Sequence, residues 1–244
     1  HPELAEQEFY IGMGETAENL AKDLSISREE QEEFAMESHR KALLAYSEGK
    51  FDNEIIPIKI NTEITATKDD GPREPNEEKI KSLAPAFLEK GSITAATSSP
   101  ISVGASALLI GNESFCETND LKPRAEIVSR AIAGVHWDRM GMGPLPAVEK
   151  ALQKAKIGIE DIETIELNEA FAAQALYVIR KGGWDQNKIN LNGGAIALGH
   201  PLGCSGARIL TTLINAMEQN NTSLGMATMC IGSGQGIATI IKRV

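Results

Sequence analysis

The spacing of hydrophobic positions changes character near residue 101. Before it, apolar residues are scattered among acidic and turn-forming ones. Ser27-Arg-Glu-Glu30 has the pattern of a capping box, in which a hydroxyl and a carboxylate satisfy free N–H groups at a helix start. It predicts a helix running toward Gly49, where glycine suits the end. Residues 54–60 are β-rich, with Pro57 confining any strand to an edge because proline brings no N–H to a ladder. Residues 61–76, with Asp69-Asp-Gly-Pro72, predict a loop or flap. This part has the pattern of an excursion over a core.

From residue 101 onward the pattern is regular. The apolar run 105–110 predicts a buried strand, 125–134 another, and 144–155 a helix with proline in its first turn. A strand at 164–167, a helix at 170–181, a short strand near 189–191 and a glycine-rich loop at 192–204 follow. Residues 205–219 predict a helix with Ile209, Leu213, Ile214 and Met217 on one face. Strands at 224–229 and 236–242 close the chain. The order βαβαβαββ predicts an α/β fold: a mostly parallel sheet with an antiparallel last strand, covered by helices and preceded by a helical and loop covering segment. Ligands of such sheets bind outside the carboxyl ends of the strands. Asn168 follows one strand, Cys230 ends another and His200 lies in a loop leading into a helix, so all three are expected at one edge.

At 244 residues, 42% hydrophobic and 24% charged, the chain has material for a large core and none of the signature of disorder. No run of eighteen apolar residues predicts a membrane span, and the opening residues lack a secretory pattern. The net charge of −10 is concentrated in residues 1–40, which hold 11 acidic and 3 basic residues. That distribution fits a solvated helix face and argues against a nucleic-acid partner. Cys116, Cys204 and Cys230 form no CxxC pair, which fits reduced thiols in a cytoplasmic setting. His200 and Cys204 have a spacing that two metal ligands could share, but nothing completes a site, so no metal is expected.

Cysteine at the end of an apolar strand is ordinarily a small core residue. Cys230 is followed by three glycines, in Cys230-Ile-Gly-Ser-Gly-Gln-Gly236, and glycine there lets backbone N–H groups approach a ligand as an oxyanion hole requires. His200 lies among five glycines just before a predicted helix start, a place suited to a proton-handling imidazole. A thiol of pKa about 8.5 is only a few per cent thiolate at neutral pH, so an imidazole near 6.5 is a matched base. Asn168 could be a simple N-cap and Glu169 a first-turn acid favoured by the helix dipole.

Taken together, Asn168-Glu-Ala-Phe-Ala-Ala173, Gly199-His-Pro-Leu-Gly-Cys-Ser-Gly-Ala-Arg208 and Cys230-Ile-Gly-Ser-Gly-Gln-Gly236 closely resemble three C-terminal signatures of thiolases. Met13-Gly-Glu-Thr-Ala-Glu-Asn19 and Met140-Gly-Met-Gly-Pro144 look like two further thiolase strings, so the resemblance covers essentially the whole chain. Thr228-Met-Cys-Ile-Gly232, Gln235-Gly-Ile-Ala-Thr239, Leu191-Asn-Gly-Gly194 and Thr97-Ser-Ser99 look most like the thiolase subunits of bacterial fatty-acid β-oxidation complexes.

The resemblance implies a thiolase-like fold, a mixed sheet covered by helices, in which residues 1–95 are most of a loop domain covering coenzyme A, 96–120 end an N-terminal domain and 121–244 form the C-terminal domain. It implies thiolytic cleavage of 3-ketoacyl-CoA by CoA, with CoA as substrate and no permanently bound cofactor. Cys230 would be the acid/base cysteine, His200 would activate the nucleophilic cysteine and donate to the thioester oxygen, and Asn168 would hold a water in a second oxyanion site. The Gly232 N–H would serve the other oxyanion hole. Ser99, Met140, Ala170 and Phe171 would line the pantetheine channel. A homodimer or homotetramer is implied, together with a hydratase–dehydrogenase subunit as partner. The family's acyl-carrying cysteine has no counterpart here, since neither Cys116 nor Cys204 stands in a matching context, so residues 1–244 alone are expected to be inactive. Ala96, Pro100 and Val103 also depart from the usual pattern. A ketoacyl-synthase-like condensing enzyme and an inactive CoA-binding subunit are the competing readings.

Overall fold

A computed structural model describes all 244 residues. Helices α1 (Pro2–Glu6), α2 (Met13–Asp23) and α3 (Arg28–Ser47) come first. The hairpin β1 (Ile58–Lys59) and β2 (Thr65–Ala66) and the short helices α4 (Glu77–Lys81) and α5 (Glu113–Thr118) follow. The regular part then runs β3 (Ala125–Gly134), α6 (Pro144–Ala155), β4 (Thr164–Leu167), α7 (Ala172–Gly182), α8 (Ala195–Leu198), α9 (Ser205–Gln219), β5 (Leu224–Ile231) and β6 (Gln235–Arg243).

The main sheet has the order β3-β6-β5-β4. Only β4 and β5 pair in parallel; β6 turns back through residues 232–234 and inserts between β5 and β3, antiparallel to both. Three strands therefore share a direction, as the pattern predicts, but two of the three ladders are antiparallel, which corrects the expectation of a mostly parallel sheet. Ile165 and Leu167 of β4 face a core shared with Ala147 and Val148 of α6 and Val178 and Ile179 of α7. On the other face Ile209, Leu213 and Met217 of α9 pack on Ala227 and Ile241. The sheet is thus sandwiched, and a strand buried on both faces has no alternating pattern to display.

The capping box at Ser27 is formed, with Glu30 N–H donating to Ser27 Oγ at 3.2 Å and Ser27 N–H to the Glu30 carboxylate at 2.8 Å. Helices α2 and α3 lie over α7, forming the expected cover. The Glu18 carboxylate of α2 accepts from the N–H groups of Ser92 and Ile93, pinning the returning chain to that cover.

Four other expectations are corrected. The 54–60 strand shrinks to Ile58–Lys59, because Asn61 Oδ1 accepts from Glu63 N–H and Ile64 N–H and turns the chain at once into a tiny hairpin. The run 105–110 is irregular and exposed, with Leu109 77% and Ile110 68% accessible, because no strand of the sheet pairs with it and apolar content alone makes no ladder. The strand near 189–191 is a single bridge between Ile165 and Ile189: Asn190 takes a left-handed backbone (φ 46°), and its side chain pairs with the Leu167 N–H and C=O in place of a ladder. The helix expected from residue 170 begins at Ala172, since residues 170–171 are held extended by Ser98 and Ser99. Asn168 is therefore no N-cap.

Candidate active site

The fold brings the ends of β4 and β5 together. Asn168, directly after β4, donates its N–H to the Thr228 carbonyl of β5 at 3.0 Å. Its side chain is fully buried, and Nδ2 lies 3.5 Å from His200 Nε2. His200 reaches that position because Gly199, at φ +97°, turns the chain sharply after α8 and the His200 N–H bonds the Pro100 carbonyl. Left-handed backbone of this kind favours glycine.

The other imidazole nitrogen fixes the tautomer. Ser205 Oγ, at the start of α9, gives its only proton to the Pro201 carbonyl at 3.0 Å. It must then accept from His200 Nδ1–H, 2.6 Å away, which leaves the Nε2 lone pair facing Asn168. Burial, with the positive charge of Arg208 adding to it, holds the His200 pKa below the usual imidazole value. The group is therefore a neutral imidazole whose Nε2 is an acceptor, met only by the long contact from the Asn168 amide. Asn168 Oδ1 has no hydrogen-bond partner within the chain although it is buried.

Cys230 is the penultimate residue of β5, paired with Gly236 of β6. Its thiol makes no hydrogen bond to His200 or Asn168; it sits in an apolar cluster with Met140, Ala170 and Phe171, against Leu20 and Tyr177. Burial pushes it up to about 12, so it is fully protonated at neutral pH in this state. The structure thus gathers Cys230, Met140, Ala170 and Phe171 into one wall, and Ser99 joins it by donating both N–H and Oγ to the Ala170 carbonyl at 3.0 and 3.1 Å. Gly232 lies in the β5–β6 turn, followed by Ser233 and Gly234 at φ +64° and +84°. Its N–H has no partner within the chain.

Four contributors are not marked as site residues by the sequence motifs. Phe87 stands edge-on to Phe171, ring centroids 5.7 Å apart, and closes that wall from the covering segment. Met13, at the start of α2, brings its sulfur beside Gly232. Ser205 sets the imidazole tautomer. Glu169 is a buried carboxylate accepting from Ser38 Oγ (2.7 Å), Asn190 Nδ2 (2.8 Å) and Ile196 N–H (3.1 Å), which ties α3, the chain before α8 and Asn168 into one unit. Gly194 is needed there because a side chain at that position would overlap the Glu169 carboxylate. The signal for Phe87 in the sequence is faint, being one aromatic residue in a turn-rich stretch. Ser205 and Arg208 are legible only once a helix start is placed at 205.

A mixed sheet between helices, with an imidazole, an amide and a thiol brought to its strand ends beneath a helical cover, is the arrangement of the thiolase fold. Bacillus anthracis acetyl-CoA acetyltransferase superposes on it with a TM-score of 0.92 at 42% identity, over 96% of this chain and 60% of that one. The human mitochondrial 3-ketoacyl-CoA thiolase in complex with CoA superposes equally well (0.92) at 38% identity, over 98% of this chain and 60% of that one. The thiolase N-terminal domain family matches residues 2–114 and the thiolase C-terminal domain family residues 121–243. The chain belongs to the thiolase family. The 3-ketoacyl-CoA thiolases of Psychrobacter cryohalolentis and Acinetobacter baumannii are each 55% identical to it over 240 residues, which is 95% of this chain. The chain spans 62% of the length of these relatives.

Proposed function

We propose that the protein carrying this chain is an acetyl-CoA C-acyltransferase that cleaves 3-ketoacyl-CoA with CoA, yielding acetyl-CoA and a shortened acyl-CoA. The observation that carries the reading is the neutral His200, its Nε2 beside Asn168, at the strand end next to the Cys230 wall. In this reading a nucleophilic cysteine supplied from outside residues 1–244 accepts the acyl group. His200 Nε2 takes the proton from that cysteine and then, as imidazolium, donates to the thioester oxygen. Asn168 orients a water at a second oxyanion position, where its unpartnered amide oxygen leaves capacity for a hydrogen bond. The free N–H of Gly232 donates to the oxyanion of the acyl-transfer step.

Cys230 gives its proton to the enolate of the departing acetyl-CoA and then, as thiolate, takes one from the incoming CoA thiol. An apolar surround keeps the thiol protonated until a carbanion needs it, which suits the first of these steps. Ser99, Met140, Ala170, Phe171 and Phe87 line the pantetheine arm. The covering segment 1–95 closes over the nucleotide, 96–120 completes an N-terminal domain and 121–244 is the C-terminal domain. We assign the enzyme to the cytoplasm, as a homodimer or homotetramer acting in fatty-acid β-oxidation with a hydratase–dehydrogenase partner.

The test is thiolysis by the full-length protein. Purified protein given acetoacetyl-CoA or a longer 3-ketoacyl-CoA with free CoA forms acetyl-CoA, followed by chromatography of the thioesters. Absence of turnover with every chain length sinks the reading. The 244-residue chain alone is expected to show none.

A further inference from the structure

Directly behind His200 the protein buries charge that the reaction above does not use. Helix α9 carries Ser205, Arg208, Thr212 and Asn215 along its inward side, and Ser205, Thr212 and Asn215 are at most 1% exposed. Thr212 and Asn215 hold the carboxylate of Glu54 at 3.0 and 2.5 Å. Arg208, one turn beyond Ser205, is only 18% exposed at its side chain, and its Nη1 lies 3.6 Å from Oε2 of Glu166. No hydrogen bond links them: Nε and Nη1 of Arg208 and Oε1 of Glu166 are all buried without a partner. Glu166 itself sits on the α9 side of β4, two residues before Asn168, in a strand with no exposed residue.

This is an unusual placement for a cation. A guanidinium cannot give up its proton, so burying it demands either a close carboxylate or a nearby group that benefits from its field. The carboxylate is not close enough to stay ionised against burial, and its pKa is pushed up to about 8. Over the range in which an imidazole titrates, the positive charge of Arg208 is therefore not cancelled by Glu166. It is felt one helical turn away, where Ser205 grips Nδ1 of His200.

We propose that Arg208 is a positioning residue for the reaction: its buried guanidinium, set behind the Ser205–His200 hydrogen bond, keeps His200 neutral with Nε2 free to accept a proton. The proposal rests on the reading of His200 as the proton acceptor. The titratable groups on the elements that meet at the imidazole are Cys204 and Arg208 at the start of α9, Glu166 and Glu169 on either side of Asn168, and Cys230 on β5. Those around Glu166 are Arg208, Glu54, Glu169 and Lys41 of α3. Only Arg208 opposes protonation of His200 by charge. Without it, burial alone holds the proton off the ring.

The experiment follows the imidazole itself. In full-length protein labelled at histidine, the His200 resonance is identified by its loss in His200→Asn and titrated by NMR. Arg208→Gln should move its midpoint to higher pH, and Arg208→Lys, which keeps the charge, should hold it near the wild-type position. The acid limb of the kcat/KM profile should move the same way in Arg208→Gln, with rates at pH 6 falling several-fold. An unmoved midpoint in Arg208→Gln overturns the proposal, and so does a lysine variant that moves as far as the glutamine one. Should Arg208→Gln fail to fold, the pair Arg208→Met with Glu166→Leu replaces the cation and its carboxyl neighbour by apolar groups of similar volume, a replacement that buried polar pairs often tolerate. It must show the same upward shift, and an unmoved midpoint there counts against Arg208 equally. Because the titration reads no turnover, failure of the thiolysis assay and failure of this proposal are told apart.

Discussion

Cys230 and Glu166 are both acids that the fold keeps protonated, with different consequences. Serine at 230 has nearly the size of cysteine but is a far weaker acid, so in the proposed reaction it would not hand protons between enolate and thiol. Cys230→Ser in the full-length enzyme should lower kcat by about 10²–10⁴, the usual worth of general acid–base catalysis. A loss below about threefold would instead favour a condensing enzyme that does without this proton. Glu166 governs stability. Burial is the main cause of its high pKa, with Glu54 and Glu169 adding and Arg208 and Lys41 opposing. The folded state thus keeps a proton that an unfolded chain releases near 4.5. The folded protein binds more protons over that window, so the contribution is full below about pH 4.5 and is lost as pH rises through about 8. Urea midpoints from pH 5 to 8.5 should decline, and Glu166→Gln should flatten the decline. His39 has the opposite sign: burial, with Arg73 adding, lowers its pKa to about 4. It contributes stability above about pH 6.5 that is lost as pH falls through 4, and His39→Leu should flatten that acid limb.

Between elements, one of the closest approaches is glycine against glycine. Gly143 opens α6 and Gly236 lies in β6, and a side chain on either would overlap the backbone of the other segment. Neither backbone can retreat without opening the β5–β6 turn beside Gly232. Gly236→Ala should cost about 1–3 kcal/mol in urea unfolding, the range for overpacked cores. Gly203→Ala, with nothing within 4 Å of the added carbon, should be close to neutral. Equal effects would mean that conformational freedom, not contact, sets the cost. Ser27→Ala should remove about 1 kcal/mol through loss of the N-cap. Elements with a local signature are legible in the sequence: the capping box of α3, the bounds of α6, β4 and α9, and the turn-back of the last two strands. Three of the misreadings, at 105–110, 189–191 and the start of α7, concern segments whose state depends on what pairs with them, whereas the 54–60 strand is cut short by a local turn at Asn61. Ser98–Ser99 holds residues 170–171 extended, and nothing near Phe171 in sequence announces it.

Across the whole molecule, the apolar groups divide into a buried core and a displaced remainder. Ile101 and Val103 are fully exposed, and Leu109, Ile110 and Ile132 are 60–77% accessible, all in or beside the irregular stretch and on the outer strand β3. Exposed apolar area of this kind promotes association. The 244-residue chain expressed alone should bind the dye ANS and form polydisperse aggregates, whereas the full-length protein should bind no ANS and form one discrete oligomer. A monodisperse chain that unfolds in one cooperative step would contradict this. No helix is long and apolar enough to cross a membrane.

The candidate site is written in short strings that sequence alone determines: an imidazole among glycines, an amide after a strand, and a thiol before a glycine-rich turn. Their convergence at one sheet edge follows from strand order. Tertiary structure decided what those groups are. That the imidazole presents Nε2 depends on a serine hydroxyl committed to Pro201. That Cys230 is a protonated thiol in an apolar wall depends on α2, α7 and Met140 closing around it. That Arg208 lies behind His200 depends on α9 folding back over β4. Periodicity reports which face of an element is buried. It cannot report which polar atoms meet beneath that face, because such meetings join residues as far apart in the chain as Glu54 and Thr212, 158 positions from one another.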